Sequence, residues 1–238
     1  MHAHAIDRGV PTSDVLLFGT PSQLRHLAEK LAAMPYWGLE DLRGELLGAL
    51  EGLKTRTWSL PLPGGRHLPL GDRTRIMGIL NATPDSFYSG SRLEGPEACL
   101  ARGETLLEQG ADLLDLGGES TRPGAPEVPE EEELRRVLPA LRALRARFPQ
   151  AVLSVDTSKA SVAGPCLAEG ADLINDISGL TFHPELAEAG ARAGASLVLM
   201  HLKGIPRTMQ ESPRYENLLG EVAAFLREQM DLAETRGL

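Results

Sequence analysis

The feature that most constrains this chain is a short unit that occurs three times, in which a helical stretch ends at glycine, alanine follows, and a run of branched apolar residues begins. Its copies are Gly110-Ala111-Asp112-Leu113-Leu114-Asp115, Gly170-Ala171-Asp172-Leu173-Ile174-Asn175 and Gly194-Ala195-Ser196-Leu197-Val198-Leu199-Met200. Glycine can take the left-handed conformation that closes a helix, and an unbroken apolar run reads as a strand covered on both faces. The implied unit is a helix followed by a buried parallel strand. Adding Ile76 to Leu80 and Val152 to Val155 gives five strands predicted to begin near residues 76, 113, 152, 173 and 197. Such regular alternation favours a TIM (β/α)8 barrel over an open doubly wound sheet, with about five βα units inside the chain.

Between the strands the pattern is helical. The segment from Pro129 to Arg147 opens with Glu130 to Glu133, suited to the positive end of a helix, and closes with Arg142, Arg145 and Arg147 at the negative end. Asn217 to Thr235 reads as a further helix. Residues 1–70 differ and are taken as an accessory extension to a barrel domain over 71–238. Leu24, Leu27, Leu31 and Met34, then Leu39, Leu42, Leu46, Leu50 and Leu53, mark two amphipathic helices. Val15 to Phe18 is expected to form a strand before them. Trp58 to Leu60 and His67 to Leu70 flank Pro63-Gly64-Gly65, a hairpin pattern that could cover the bottom mouth of a barrel.

Composition narrows the function classes. At 238 residues and 42% hydrophobic content the chain can bury a sizeable core. Its formal net charge of −9 disfavours general attraction to nucleic acid or anionic membrane, so an anionic substrate would need a locally positive pocket. Cys99 and Cys166 stand far apart in no metal-ligand spacing, which fits a reducing, cytoplasmic setting. The first apolar run is too short for a signal-peptide core or a membrane span.

Nearly every apolar run ends in a polar residue able to hydrogen bond a heterocycle: Asn81, Asp115, Asp156, the pair Asn175-Asp176, and His201 after Met200. In parallel βα units the C-terminal strand ends converge on one face, so these residues are expected to meet in one pocket. Each has a plainer reading. Asp156 before Thr157-Ser158 reads equally as a helix cap. Asn81 and Asn175 are common turn residues, Met200 is a common core residue, and His201 is ambiguous. Asp115 between Leu114 and Leu116 is harder to explain structurally, since burying a carboxylate without a partner costs on the order of several kcal/mol. Independent caps are not expected at successive strand ends.

Two stretches rich in turn formers follow the first two strands, Thr83 to Gly90 and Gly117 to Gly124, and their place on the active face points to loops that close over substrate. Gly117-Gly118 is not followed by Gly-Lys-Ser/Thr, and no Gly-x-Gly-x-x-Gly precedes a helix, so ATP and nicotinamide sites are not indicated. Neither His-Glu-x-x-His nor Cys-x-x-Cys is present, which leaves zinc unsupported.

At these residues a family resemblance becomes specific. Met77 to Phe87, with the sequence Met-Gly-Ile-Leu-Asn-Ala-Thr-Pro-Asp-Ser-Phe, is similar to the first signature of dihydropteroate synthases, and Asp115 to Ala125 matches the second throughout. Ser154-Val155-Asp156-Thr157, Ile174 to Gly179 and Leu199-Met200-His201 follow in family order. The resemblance covers about residues 75–210. It implies condensation of 6-hydroxymethyl-7,8-dihydropterin pyrophosphate with p-aminobenzoate, giving 7,8-dihydropteroate and pyrophosphate, without a redox cofactor. It further implies that Asp115, Asp156, Asn175 and Met200 line the pterin pocket and that Asn81 helps hold Mg²⁺ with the pyrophosphate. Thr121 and Arg122 would contact pyrophosphate, and Asp85 and Phe87 would order the p-aminobenzoate site. Asp115, Asp156 and Arg122 would act in catalysis, and the enzyme is expected to be a homodimer.

The chain departs from the family pattern in two places. Ala82 stands where Val is commoner, and Tyr88-Ser89-Gly90-Ser91 replaces the usual Ser-Asp-Gly-Gly. Three further strands with Asp-Pro-Gly, Ser-Arg-Lys and Arg-Val-His segments are expected in the family, and none occurs before Leu238, so the barrel reads as incomplete at the C-terminus. The alternatives are a pterin-dependent methyltransferase domain, or a non-catalytic, synthase-like pterin-binding subunit.

Overall fold

A computed structural model describes residues 16–34, 36, 38–82, 95–120 and 127–238. The chain divides into two compact units, Met1–Thr57 and Trp58–Leu238. In the first, α1 (Pro21–Ala32) packs on α2 (Leu39–Gly52), and Ala28, Leu31 and Leu50 are buried. Thr20 and Gln23 cap α1 reciprocally, each side chain bonding the other's backbone N–H. Residues 16–18 do not form the expected strand. Leu16 and Phe18 are 79% and 86% exposed, and an apolar run without a neighbouring strand has nothing to pair its backbone.

The second unit begins with an antiparallel hairpin of β1 (Trp58–Leu62) and β2 (Arg66–Leu70), so the hairpin belongs to the same unit as the barrel strands. Gly64 and Gly65 both have φ of +73°, the left-handed turn that residues with a Cβ resist. Five parallel strands follow: β3 (Met77–Asn81), β4 (Leu113–Gly117), β5 (Val152–Asp156), β6 (Leu173–Asp176) and β7 (Ser196–Leu199). Their spatial order is their sequence order. A doubly wound sheet reverses direction at a switch point, and this one does not. The arc is that of a (β/α)8 barrel, with β3 and β7 at its edges. Helices α3 (Pro96–Glu108), α4 (Glu130–Arg147), α5 (Ala160–Ala168) and α6 (Leu186–Ala193) connect the strands, and α7 (Leu218–Thr235) follows β7.

The repeated Gly-Ala unit has one geometry in all three copies. Gly110, Gly170 and Gly194 have φ of +99°, +97° and +65°. The next residue's N–H reaches back five positions, Ala111 to Leu106 O at 2.9 Å, Ala171 to Cys166 O and Ala195 to Gly190 O at 3.0 Å. This is the Schellman closure that satisfies the last carbonyls of a helix. The third residue of the unit ties the lower end of the sheet together. Asp112 accepts the Ile76 N–H and is held by Arg73 and Arg75, Asp172 accepts the Leu153 N–H and is held by Arg66 and Arg145, and Ser196 donates to Pro61 O.

Alternation along each strand then separates two cores. Leu80, Leu114, Leu116, Leu153, Val155 and Ile174 face the helices, meeting Val137, Leu141 and Leu144 of α4 and Val162 and Cys166 of α5. On the other face Leu113, Val152 and Leu173, with Met77, meet Leu62 and Leu68 of the hairpin. These residues lie at the N-terminal strand ends, so the hairpin does cover the bottom of the barrel interior. Burying side chains of this size contributes roughly 1.5–3 kcal/mol each.

Candidate active site

The inner residues above that apolar plug are polar. Strand register places Asn81, Gly117, Asp156 and Asn175 side by side in one row, and Ile79, Asp115, Ser154 and Leu173 in the row below. Adjacent strands lie about 4.8 Å apart, so Asn81 and Asn175, 94 positions apart in the chain, fall in one row about 14 Å long. Asn175 Nδ2 donates to Asp115 Oδ2 at 3.0 Å, joining the two rows. Gly117 leaves the space between its neighbours open, since a Cβ there would stand 3.5 Å from Asp156 Oδ2 and 3.6 Å from Asn81 Oδ1.

Charge is concentrated in this small volume. Burial pushes the Asp156 carboxyl up to about 7, and the surrounding carboxylates of Asp115, Glu133, Asp176 and Glu119 add to the shift. Asp115 is also raised by burial, although the Asn175 amide, which donates to it, pulls it back. Among the described residues Asp115 Oδ1, Asp156 Oδ1 and Ser154 Oγ are buried without a hydrogen-bond partner. An unsatisfied buried polar atom typically costs about 1–3 kcal/mol, and three in one pocket form a site suited to N–H donors from a ligand.

The structure therefore brings Asn81, Asp115, Asp156 and Asn175 together. Met200 directly follows β7 at the same end of the sheet and is 38% exposed. Asp85, Phe87, Thr121 and Arg122 lie outside the described residues. The plainer readings fail for two members: α5 starts after Lys159, so Asp156 is not its cap, and Asn175 lies within β6 rather than in a turn. Asp176 instead braces the turn after β6, accepting the N–H groups of Ser178 and Leu180 at 2.8 and 2.6 Å and supporting Leu180 at φ +65°. His201 packs edge-on against Phe225, with ring centroids 5.0 Å apart, rather than joining the row.

Sequence reasoning missed a buried cluster beside the site. Lys159 bonds Glu119 and Glu133, and Glu133 is 1% exposed rather than a solvated helix-end charge. The signal was spacing: Glu133 sits four residues before Val137, in phase with the buried stripe Val137, Ala140, Leu141 and Leu144 of α4. Gly118 is pressed against the same helix. A Cβ there would meet Val137 Cγ2 at 2.7 Å and Glu133 Cγ at 2.9 Å.

With this geometry in place, likeness to known proteins is informative. The pterin binding enzyme family matches residues 77–238. Dihydropteroate synthase of Synechocystis sp. is 44% identical over 179 residues, covering 75% of this chain and 62% of that protein. Among solved structures, the Yersinia pestis dihydropteroate synthase, in a sulfonamide drug complex, superposes with a TM-score of 0.70 at 44% identity, covering 76% of this chain and 64% of that one. The Xanthomonas albilineans dihydropteroate synthase with 4-aminobenzoic acid gives a TM-score of 0.66 at 46% identity, covering 76% and 63%. The chain thus spans less than two thirds of the length of these relatives.

Proposed function

We propose that this chain, which belongs to the pterin-binding enzyme family, provides the pterin site of a dihydropteroate synthase. The protein would join 6-hydroxymethyl-7,8-dihydropterin pyrophosphate to p-aminobenzoate and release pyrophosphate. One observation carries this reading: buried Asp115 and half-buried Asp156, each with a buried oxygen that has no partner among the described residues, stand near Asn175 on adjacent strands. A pterin ring presents along one edge the N–H donors and acceptors that such groups complement. The relatives' names and the 4-aminobenzoic acid complex support both substrates.

In the reaction the bond between the pterin methylene carbon and the pyrophosphate oxygen breaks, and the oxygen leaves with the electron pair. Positive charge gathers on the methylene as it does so. Fixed carboxylates in a water-poor pocket stabilise that charge where it forms. Asp156, titrating near 7, can hold the ring edge as an acceptor when ionised or as a donor when protonated. The arylamine nitrogen then attacks the methylene, forming the carbon–nitrogen bond and losing a proton. Arg122 and Thr121 are proposed to bind the pyrophosphate, and Asp85 and Phe87 the arylamine.

Mg²⁺ is proposed to accompany the pyrophosphate. The donor set suits it: Asn81 offers a hard amide oxygen, and the space left by Gly117 adjoins it. Among the described residues no group of three His, Cys, Asp or Glu could cage a metal. Mg²⁺ commonly takes only one or two protein oxygens and completes its shell with phosphate and water, and it would offset the leaving group's charge. Asn81→Ala should raise the Mg²⁺ concentration needed for half-maximal turnover.

A cytoplasmic location fits two buried free cysteines, Cys99 and Cys166, and among the described residues no helix is long and apolar enough to cross a membrane. A homodimer is proposed from the family resemblance and would be read by light scattering. The accessory role of residues 1–70 is likewise proposed. The deciding assay incubates the purified protein with pterin pyrophosphate, p-aminobenzoate and Mg²⁺ and measures dihydropteroate and pyrophosphate. Pterin binding without product would replace the synthase reading with a non-catalytic, pterin-binding one.

A further inference from the structure

Asp176 ends β6 directly after Asn175, and strand alternation turns its side chain to the opposite face, away from the pocket, where it is fully buried. Burying a carboxylate is costly unless hydrogen bonds replace its water. Here they come from one turn, with Oδ1 accepting the Ser178 N–H and Oδ2 the Leu180 N–H. That turn is strained. Gly179 and Leu180 stand one after the other in the left-handed region, with φ of +56° and +65°, a conformation that glycine takes freely and leucine does not. Leu180 is also a fully buried member of the core, so its backbone cannot relax without moving its side chain. Gly179 is pressed against the next strand end: a Cβ on it would stand 2.6 Å from Met200 O and 3.0 Å from Phe225 Cε1.

A plain connection from β6 to α6 needs neither a buried charge nor a left-handed leucine. Strain of this kind persists only where the surroundings over-determine it, and it gathers at functional sites. What the turn fixes is the end of β6. Asn175 O accepts the Thr157 N–H at 3.1 Å on the β5 side, and Asp176 O accepts the Met200 N–H at 3.2 Å on the β7 side. Beyond Asp176 the chain folds back onto that residue's own carboxylate. Between these holds the Asn175 amide meets Asp115 Oδ2 at 3.0 Å, the bond that joins the two polar rows.

We propose that Asp176 is a positioning residue: by holding the strained 177–180 turn it fixes the end of β6 and aligns the Asn175 amide on Asp115, and thereby sets affinity for the pterin half of the substrate. The affinity part rests on the synthase reading, whereas the alignment of Asn175 does not. NMR of the Asn175 side-chain amide in the ligand-free protein and steady-state kinetics on the intact chain separate the two. Asp176→Asn keeps the side chain's shape and one acceptor but sets an amide NH2 against the second main-chain N–H. Gly179→Ala disturbs the turn from the β7 side. Thr181→Val is the structural control, since it removes a bond of the same turn, Thr181 Oγ1 to Ser178 O at 2.7 Å, and leaves both Asp176 bonds in place.

In Asp176→Asn and Gly179→Ala the Asn175 amide protons should exchange with water about tenfold faster than in wild type, because a charge-assisted hold on the turn is lost or displaced. The KM for pterin pyrophosphate should rise by about the same factor, with the KM for p-aminobenzoate and kcat changing much less. Thr181→Val should lower the urea midpoint and leave both readouts as in wild type. A wild-type Asn175 amide in folded Asp176→Asn overturns the proposal. So does an unchanged KM for pterin pyrophosphate in an active variant whose amide exchanges faster, and so does an equal rise of that KM in Thr181→Val, which would mark general loosening of the turn. If the wild-type chain binds and turns over nothing, the synthase reading fails while the amide measurement still decides the alignment.

Discussion

Asp156→Asn should stabilise the ligand-free protein, and more at high pH than at low. The side chain keeps its shape and loses its charge. The folded carboxyl titrates near 7, while an unperturbed Asp titrates near 3.9. Between those values the folded protein holds a proton that the unfolded chain has released, so the stability this group contributes is fully present below about 3.9 and is lost as pH rises to about 7. From pH 5 to pH 8 that loss covers about two pKa units at about 1.36 kcal/mol each, or about 3 kcal/mol. Asp156 is partly open to solvent, which screens its neighbours, so the expected effect is about 1–3 kcal/mol. Urea unfolding of wild type and variant at pH 5 and pH 8 measures it, with the variant's gain larger at pH 8. Turnover should fall sharply at both values, since a group held at a cost to stability is expected where chemistry requires it. An equal effect at both pH values, or a loss of stability at pH 8, would refute the electrostatic reasoning.

Three further outcomes are expected. Asp115→Asn removes the largest carboxylate contribution to the Asp156 shift, and the Asp156 midpoint, followed by carboxyl-carbon NMR, should move down from about 7. Gly118→Ala drives a methyl into Val137 and the Glu133 stem and should cost about 1–3 kcal/mol in denaturant unfolding. Leu68→Ala opens the plug beneath the barrel and should cost about 2–4 kcal/mol, while the KM for pterin pyrophosphate stays unchanged because Leu68 touches no member of the polar row.

What the sequence made legible was whatever repeats or alternates. The Gly-Ala units and apolar runs located the start of each of the five described barrel strands to within one residue, because helix closure and strand burial are local demands on residue type. Asn81, Asp115, Asp156 and Asn175 were legible as one site because parallel strands bring their C-terminal ends to one face. Partnerships across elements were not. Glu133 looked like one of four acidic residues at a helix start; its spacing from Val137 is the sequence's one hint, and packing is what separates it from exposed Glu130 and Glu131. Arg145 reads as a helix-end charge, yet it donates to Asp172 and to the Gly170 and Ala151 carbonyls. The expected strand near residue 16 failed for the complementary reason, since an apolar run specifies a strand only when a partner edge exists.

The plug beneath the barrel also sets a clock on the ribosome. The hairpin is made before any barrel strand, yet Arg66 must wait for Asp172, 106 residues later. At about 5–20 residues per second that interval is roughly 5–20 s. Throughout it the apolar faces of Leu60, Leu62, Leu68 and Leu70 have only part of their barrel floor, from Met77, Leu113 and Val152 as each emerges, because Leu173 follows directly after Asp172. The same contacts that close the finished molecule thus leave its nascent form exposed for seconds, a stretch in which a holding chaperone would raise the yield of folded protein without changing its final stability.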